Sequence, residues 1–397
     1  MRKKYVIIII AIVFISCNKN SGLVEPHTVI YVEDFRTGNM DDYQTIMAAY
    51  NAAPDHSALQ FANKTYILSH TPIIEKSIFF KGPAVITRED QITYTLRKPA
   101  DEFSAKLILT STQGLITTDR IIAALDKTGS GATYIGAVID ISGDTLFLNQ
   151  PLGKTFGGQA LYPAGTKIFK NINFIWIISS IVNYPTNSCV FSNLSFDGNR
   201  ANNSGSYSWN LNSAVIALTK GTTYYQYCQF YNSPGETIVG HNSDIENCNF
   251  HDLNGSAFHT SADEVYCQED EIHSYFYYNS IENSNQVSTT LTGHSEGAIT
   301  HSNSGGYYTA IGNTFTNVGE SVLGAIYPSN SIHDWGTSNI IFTENNINEA
   351  GRIAYLIDTS RGGVIHNVDI EKNMITNMPV HNFSKELSHW PGIVLQQ

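Results

Sequence analysis

A five-residue phrase recurs from Ser188 onward, and repetition constrains this chain more tightly than any local propensity. It reads Cys228-Gln229-Phe230-Tyr231-Asn232, Cys248-Asn249-Phe250-His251-Asp252, Asn279-Ser280-Ile281-Glu282-Asn283, Asn313-Thr314-Phe315-Thr316-Asn317, Asn345-Asn346-Ile347-Asn348-Glu349 and Asn373-Met374-Ile375-Thr376-Asn377. The central Phe and Ile residues stand 20, 31, 34, 32 and 28 residues apart, an imperfect period in the range of one solenoid turn. Strand alternation sends a small residue and the large apolar residue two positions later inward, and the residue between them outward. The closing Asn or Asp suits a turn, because its side chain tolerates left-handed backbone and bonds nearby peptide groups. Stacked coils would let these side chains form a ladder. Cys228 and Cys248 share one position on adjacent coils, where two buried thiols are expected rather than a disulfide. Asn193-Leu194-Ser195-Phe196-Asp197-Gly198-Asn199 follows the same scheme approximately.

The N-terminal third is different. Asp41-Asp42 opens a segment with Tyr43, Ile46, Met47 and Tyr50 at helix spacing, ending before Pro54. With the strand-like runs Ala58–Phe61 and Thr65–Leu68, it reads as a unit capping the open end of a solenoid. From Thr87 to Lys170 the phrase is missing, but strand-like Lys106–Leu109 and Ala137–Ile141 and the turn sequence Ser142-Gly143-Asp144-Thr145 predict an inserted β lobe. The expected division is therefore 1–17 signal, 18–28 linker, 29–86 cap and first coils, 87–170 lobe and 171–397 coils.

Met1-Arg2-Lys3-Lys4 followed by an apolar run from Tyr5 to Ile15 is an export signal. The run is too short to span a bilayer. Phe14-Ile15-Ser16-Cys17 resembles a relaxed bacterial lipobox, which implies lipidation of Cys17 and attachment to the outer membrane, on its periplasmic or its surface side. A net charge of −12 leaves no basic face for a phosphate backbone, so nucleic acid is not an expected partner. Cys189, Cys228, Cys248 and Cys267 lack the paired CxxC spacing of a zinc site.

Asp41–Ala49, Phe61-Ala62-Asn63-Lys64-Thr65-Tyr66 and Phe196-Asp197-Gly198-Asn199-Arg200 together resemble the pectin-lyase-like superfamily. That resemblance covers most of the chain and implies an all-β fold, a right-handed parallel β-helix with an N-terminal capping helix. The superfamily holds polysaccharide lyases, polygalacturonase-type hydrolases, epimerases and phage tailspikes, so the implied partner is a polysaccharide or oligosaccharide. Its sharper catalytic signatures, an Asn-Thr-Asp with an Asp-Asp pair or an Arg-x-Pro-x-x-Arg, do not occur among the coils, and no catalytic residue carries over.

Candidate residues therefore rest on chemistry. Histidines and carboxylates concentrate between His241 and Arg361. Alternation sets His294 and Glu296 on one face of Gly293–His301. The stretch Gly255–His259 looks like its counterpart one coil earlier, and Gly324–Tyr327 and Ile353–Asp358 like counterparts one and two coils later. This brings His259, His301, Tyr327 and Asp358 toward a common groove. Glu320 and Arg352 share an offset of five from Phe315 and Ile347, as a site pair or as a structural salt bridge. Hydrolysis needs two carboxyls, roughly 5 Å apart for retention or about 6.5–9.5 Å for inversion, and the candidates are Glu296, Glu320 and Asp358. Elimination on a uronate needs a base, an acid and a cation. No Lys or Arg occurs between Lys220 and Arg352, so elimination would need Arg352, Arg361, His294 with Tyr327, or Ca²⁺ held by Asp263-Glu264 and Glu269-Asp270-Glu271. Trp209, Trp335, His333 and Arg361 are the expected substrate contacts. The reading is an exported polysaccharide-cleaving enzyme with hydrolysis ahead of elimination. Its alternative from another class is a non-catalytic glycan-binding or surface-attachment lipoprotein, expected if the grouped histidines and carboxylates fall on different faces.

Overall fold

The computed structural model describes residues 26–124, 132–152, 161–177, 188–203, 215–217, 221–240, 242–261, 273–284, 297–302, 306–319, 321–326, 338–350, 355–358 and 368–377. From Val215 onward each coil of the described residues has three strands, whereas in the coils of Ile78–Arg88 and Cys189–Asp197 the second and third are one continuous strand. In one three-stranded coil the strands are Val215–Ala217, Thr223–Gln226 and Gln229–Tyr231, and in the next Ile238–Gly240, Ser243–Glu246 and Asn249–His251. First strands stack into a parallel sheet of eight, while second and third strands stack into a parallel sheet of 17 among the described residues. Parallel strands joined within one sheet cross over right-handedly. The chain is a right-handed parallel β-helix, as expected.

The repeat phrase is the register of the large sheet. Phe196, Phe230, Phe250, Ile281, Phe315, Ile347 and Ile375 are successive in-register partners, and all but Ile375 are fully or almost fully buried. Aromatic rings stack directly where they meet: Phe196 on Phe230 at 4.9 Å and Phe230 on Phe250 at 4.8 Å. That distance is the spacing of hydrogen-bonded strands. The first position of the phrase is more specific than a small filler. Asn279, Asn313 and Asn345 are buried there. Each side-chain carboxamide donates to a backbone carbonyl of the preceding coil and to the side chain of the next Asn. Cys228 and Cys248 hold the same position as free, buried thiols. The closing residues Asn232, Asp252, Asn283, Asn317, Glu349 and Asn377 all have φ between 51° and 63°, and several bond side chain to side chain across coils.

The cap forms as its sequence predicts. Asp41 accepts from the Gln44 amide at 2.7 Å while Gln44 accepts from the Asp41 amide at 3.1 Å, a capping box that starts the helix Asp42–Ala52. Ile46, Ala49 and Tyr50 close the end of the long apolar core.

The lobe is inserted between two strands that remain paired. Strand Ile78–Arg88 runs parallel to Cys189–Asp197, with Ile78 opposite Cys189 and Thr87 opposite Asp197, so the coils are continuous across it. Between them a six-stranded antiparallel sheet, from Thr93–Thr95 to Lys167–Asn171, surrounds a second core that includes Leu107, Ile121, Val138 and Leu146. Gly143-Asp144 makes the two-residue turn of one hairpin, with Ser142 opposite Thr145. Buried polar contacts tie lobe to coils. Lys170 Nζ reaches Ser69 O at 2.8 Å and Glu89 Oε1 at 2.6 Å. His70 Nδ1 meets Asp119 Oδ1 at 2.8 Å. Arg88 donates to Gly198 O and Ile172 O.

Candidate functional site

The coils are lopsided in where they spend chain. The bend between second and third strands is always two residues from the coil of Thr223 onward: Tyr227-Cys228, Asn247-Cys248, Tyr278-Asn279, Gly312-Asn313, Glu344-Asn345 and Lys372-Asn373. Connections into and out of the eight-stranded sheet vary widely. Among the described strands they run from two residues between Gly240 and Ser243 to fourteen between Glu282 and Gly297 and seventeen between Asp197 and Val215. A solenoid accommodates insertions in the loops of one face, and that face is often the binding one. The eight-stranded sheet is the elaborated face of this molecule.

Strands Phe258–Ser261, Gly297–Ser302, Ser321–Ile326 and Tyr355–Asp358 are consecutive in that sheet, so the stretches aligned by sequence do meet. Within it His259 is opposite Thr300, and His301 lies between Thr260 and Ala325. Asp358 is opposite Ile326, in the row next to that of His301 and two coils away. His294, Glu296, Glu320, Tyr327 and Arg352 lie outside the described residues, as do Trp209, His333, Trp335, Arg361 and Cys17. In the chain, His294 and Glu296 fall in the connection from Glu282 to Gly297, and Tyr327, His333 and Trp335 in that from Ile326 to Ser338.

Among the described residues, the side chains on this face that combine an acid with a base are Glu236 and His259. Both are buried, with side-chain exposures of 2% and 6%. His259 Nδ1 is hydrogen-bonded to Glu236 Oε1. The pair is built by the coil stacking. Phe258 anchors its strand in the core opposite Ile238, and alternation turns His259 to the other face. Gly255 lets the backbone of one coil approach the other, since a Cβ there would stand 2.9 Å from the Glu236 amide nitrogen. Beside the pair, Ser256 Oγ and Thr300 Oγ1 are 3.0 Å apart, and the Gly297 amide donates to Thr300 at 3.0 Å. Sequence reasoning missed Glu236. The signal was the 20-residue offset of Phe230 and Phe250, which also sets Gly235-Glu236-Thr237-Ile238 over Gly255-Ser256-Ala257-Phe258.

Other histidines and carboxylates lie elsewhere. His251 is on the large sheet, stacked on Tyr231 with ring centroids 5.1 Å apart, and its Nδ1 is 2.8 Å from Asp252 Oδ2. That hydrogen bond, more than those from Asn283 or the charge of Arg200, holds the Asp252 carboxyl below its ordinary range. His273 is also on the large sheet. Among the described residues no three His, Cys, Asp or Glu side chains gather as a metal site, and Asp263-Glu264 and Glu269–Glu271 lie outside them. No helix of the described residues is long and apolar enough to cross a membrane.

No protein-family model matches the chain, and no curated protein matches it. Similar solved structures include the tailspike gp61 of Pseudomonas phage phi297, at 12% identity and TM-score 0.20, covering 83% of this chain and 77% of that one. The Gp54 tailspike of Acinetobacter baumannii bacteriophage AP22, in complex with A. baumannii capsular saccharide, has 9% identity and TM-score 0.20, with 90% and 78% covered. A glycoside hydrolase has 9% identity and TM-score 0.34, with 83% and 90% covered. The strand registers define the class by themselves: a parallel β-helix protein carrying an inserted antiparallel lobe.

Proposed function

We propose that this protein binds polysaccharide along its eight-stranded face and cleaves it by hydrolysis. The observation that carries the reading is the concentration of variable connections on that face. His294, Glu296, Glu320, Tyr327 and Arg352 all fall in those connections or at their ends. Glu236 and His259 are too buried to touch a polymer, and act as a positioning pair that fixes the imidazole beneath the face. The reacting carboxyls are then Glu296, Glu320 and Asp358, and the contacts to sugar are Trp209, His333, Trp335 and Arg361. Hydrolysis is favoured over elimination because no Lys or Arg occurs from Gly221 to Gly351 to neutralise a uronate. In the same reading, residues 1–17 export the chain and lipid on Cys17 holds it at the outer membrane.

The test is incubation of protein lacking residues 1–17 with neutral and acidic polysaccharides, with and without EDTA, following new reducing ends and the ultraviolet absorbance of unsaturated products. Reducing ends without absorbance, abolished in Glu296→Gln, Glu320→Gln or Asp358→Asn, are the expected result. Absorbance rising in step with reducing ends would replace hydrolysis by elimination, and loss on EDTA treatment would assign the cation to calcium. A second reading, a non-catalytic glycan-binding lipoprotein, draws on the separation of His251 and His273 from His259 onto different sheets. It predicts polymer retention without new ends.

A further inference from the structure

The outer face of the large sheet carries a second chemical pattern, away from the eight-stranded face. On strand Ser243–Glu246, Ser243 and Ile245 are buried and Asp244 and Glu246 point outward. In the next coil Tyr275 lies opposite Asp244 and Tyr277 opposite Glu246. One coil further, Tyr307 lies opposite His273, and the two rings stack at 4.6 Å and 4°. Tyr275 and Tyr277 are 5.5 Å apart. At the bend, Tyr278 is 61% exposed, and its ring lies across Gly312, where a Cβ would come within 2.6 Å of it. His273, Tyr275 and Tyr277 are half-buried while Tyr278 and Tyr307 are exposed, and aromatic rings set side by side at a surface are uncommon unless something covers them.

We infer that this face, over strands Ser243–Glu246, His273–Tyr277 and Gly306–Ile311, is a binding surface for neutral polysaccharide, separate from the cleaving face. A pyranose ring offers C–H groups on its flat sides and hydroxyls around its rim. The tyrosine and histidine rings match the first, and the carboxylate of Glu246 accepts from the second. Burial, followed by the neighbouring Tyr275 and Asp244, pushes the Tyr277 phenol well above its usual range, so it remains an O–H donor. Charge selects among polymers. With Asp244 and Glu246 on the surface and no Lys or Arg from Gly221 to Gly351, uronate and sulfate chains are repelled.

The experiment is affinity electrophoresis of the protein lacking residues 1–17 through gels holding galactomannan, mixed-linkage β-glucan, polygalacturonate or alginate. The wild type should be retarded by a neutral polymer and by neither acidic one. A Tyr275→Ala, Tyr307→Ala double variant, with its fold checked by circular dichroism, should bind about tenfold more weakly. Cleavage of short soluble oligosaccharides, where wild type shows it, should be unchanged in that variant. Asp244→Lys with Glu246→Lys should admit the acidic polymers, which keeps the test informative should the tyrosine variant misfold. Retardation that is equal for acidic and neutral polymers, absent for all four, or unaltered in the tyrosine variant would overturn the inference. Polymer binding lost with these tyrosines in a protein that cleaves nothing would leave it standing and remove only the proposed hydrolysis.

Discussion

Asn313 shows what a single side chain contributes to this architecture. Its Nδ2 donates to Phe276 O at 2.8 Å and Asn345 Oδ1 at 2.9 Å, while its Oδ1 accepts from the Asn279 amide at 2.8 Å. Removing it orphans buried groups on two neighbouring coils. Asn313→Ala is expected to cost about 2–4 kcal/mol, read as a lowered midpoint of urea unfolding, whereas Thr314→Ala on the exposed side should stay within about 0.5 kcal/mol. Cys189 supplies a pH dependence. Burial pushes its thiol from 9.0 up to about 12. The folded state therefore holds the proton more tightly than the unfolded chain, so this contribution is complete below pH 9 and is lost as pH rises from 9 to 12. Between pH 8 and pH 10 the urea midpoint should fall further in wild type than in Cys189→Ala. An equal fall in both would show that another group sets the slope.

The capping helix depends on an ion-pair network at its start. Glu33 is bonded to Arg36 at 2.9 Å and to Lys64 at 3.0 Å, and Asp42 also contacts Arg36 and Lys64. The Arg36 hydrogen bond is the main cause that brings Glu33 down from 4.5 to about 2. With the folded pKa lowered, the contribution is present above pH 4.5 and is lost as pH falls toward 2. Amide protection factors across Asp42–Ala52 should therefore drop between pH 6 and pH 3, and drop less in Glu33→Gln. The helix was legible in the chain because Asp41, Gln44 and Pro54 are local punctuation. The lengths of the connections around the eight-stranded sheet had no comparable signal. A longer surface loop adds little to the free energy of closure and has no period of its own.

Two large, separate apolar cores among the described residues make the molecule divisible. The coil core runs from Val32 to Ala350, while the lobe core of Leu107, Leu146 and their neighbours is a distinct cluster. Leu146→Ala should cost about 2–5 kcal/mol inside the lobe. Hydrogen exchange should then accelerate in strands Arg120–Ala124 and Thr145–Leu148, while the amides of Asn279, Asn313 and Asn345 keep their protection. Acceleration in both regions alike would mean that the contacts of Lys170, His70 and Arg88 couple lobe and coils into one cooperative unit.

The sequence by itself determined the solenoid, its phase and its cap. Inward Phe and Ile, buried Asn or Cys two residues earlier and left-handed Asn two residues later all follow from alternation and turn chemistry, which act over a few residues and repeat in every coil. Tertiary structure decided most of the side-chain meetings across coils outside the repeat phrase. Glu236 and His259 are 23 residues apart, and Asp244 and Tyr275 are 31 apart. Because coils here differ in length by up to fourteen residues, between offsets of 20 and 34, such partners share no fixed spacing. Stacking ignores that difference. It aligns only the strands, and it delivers residues from unequal lengths of chain to neighbouring rows about 4.8 Å apart.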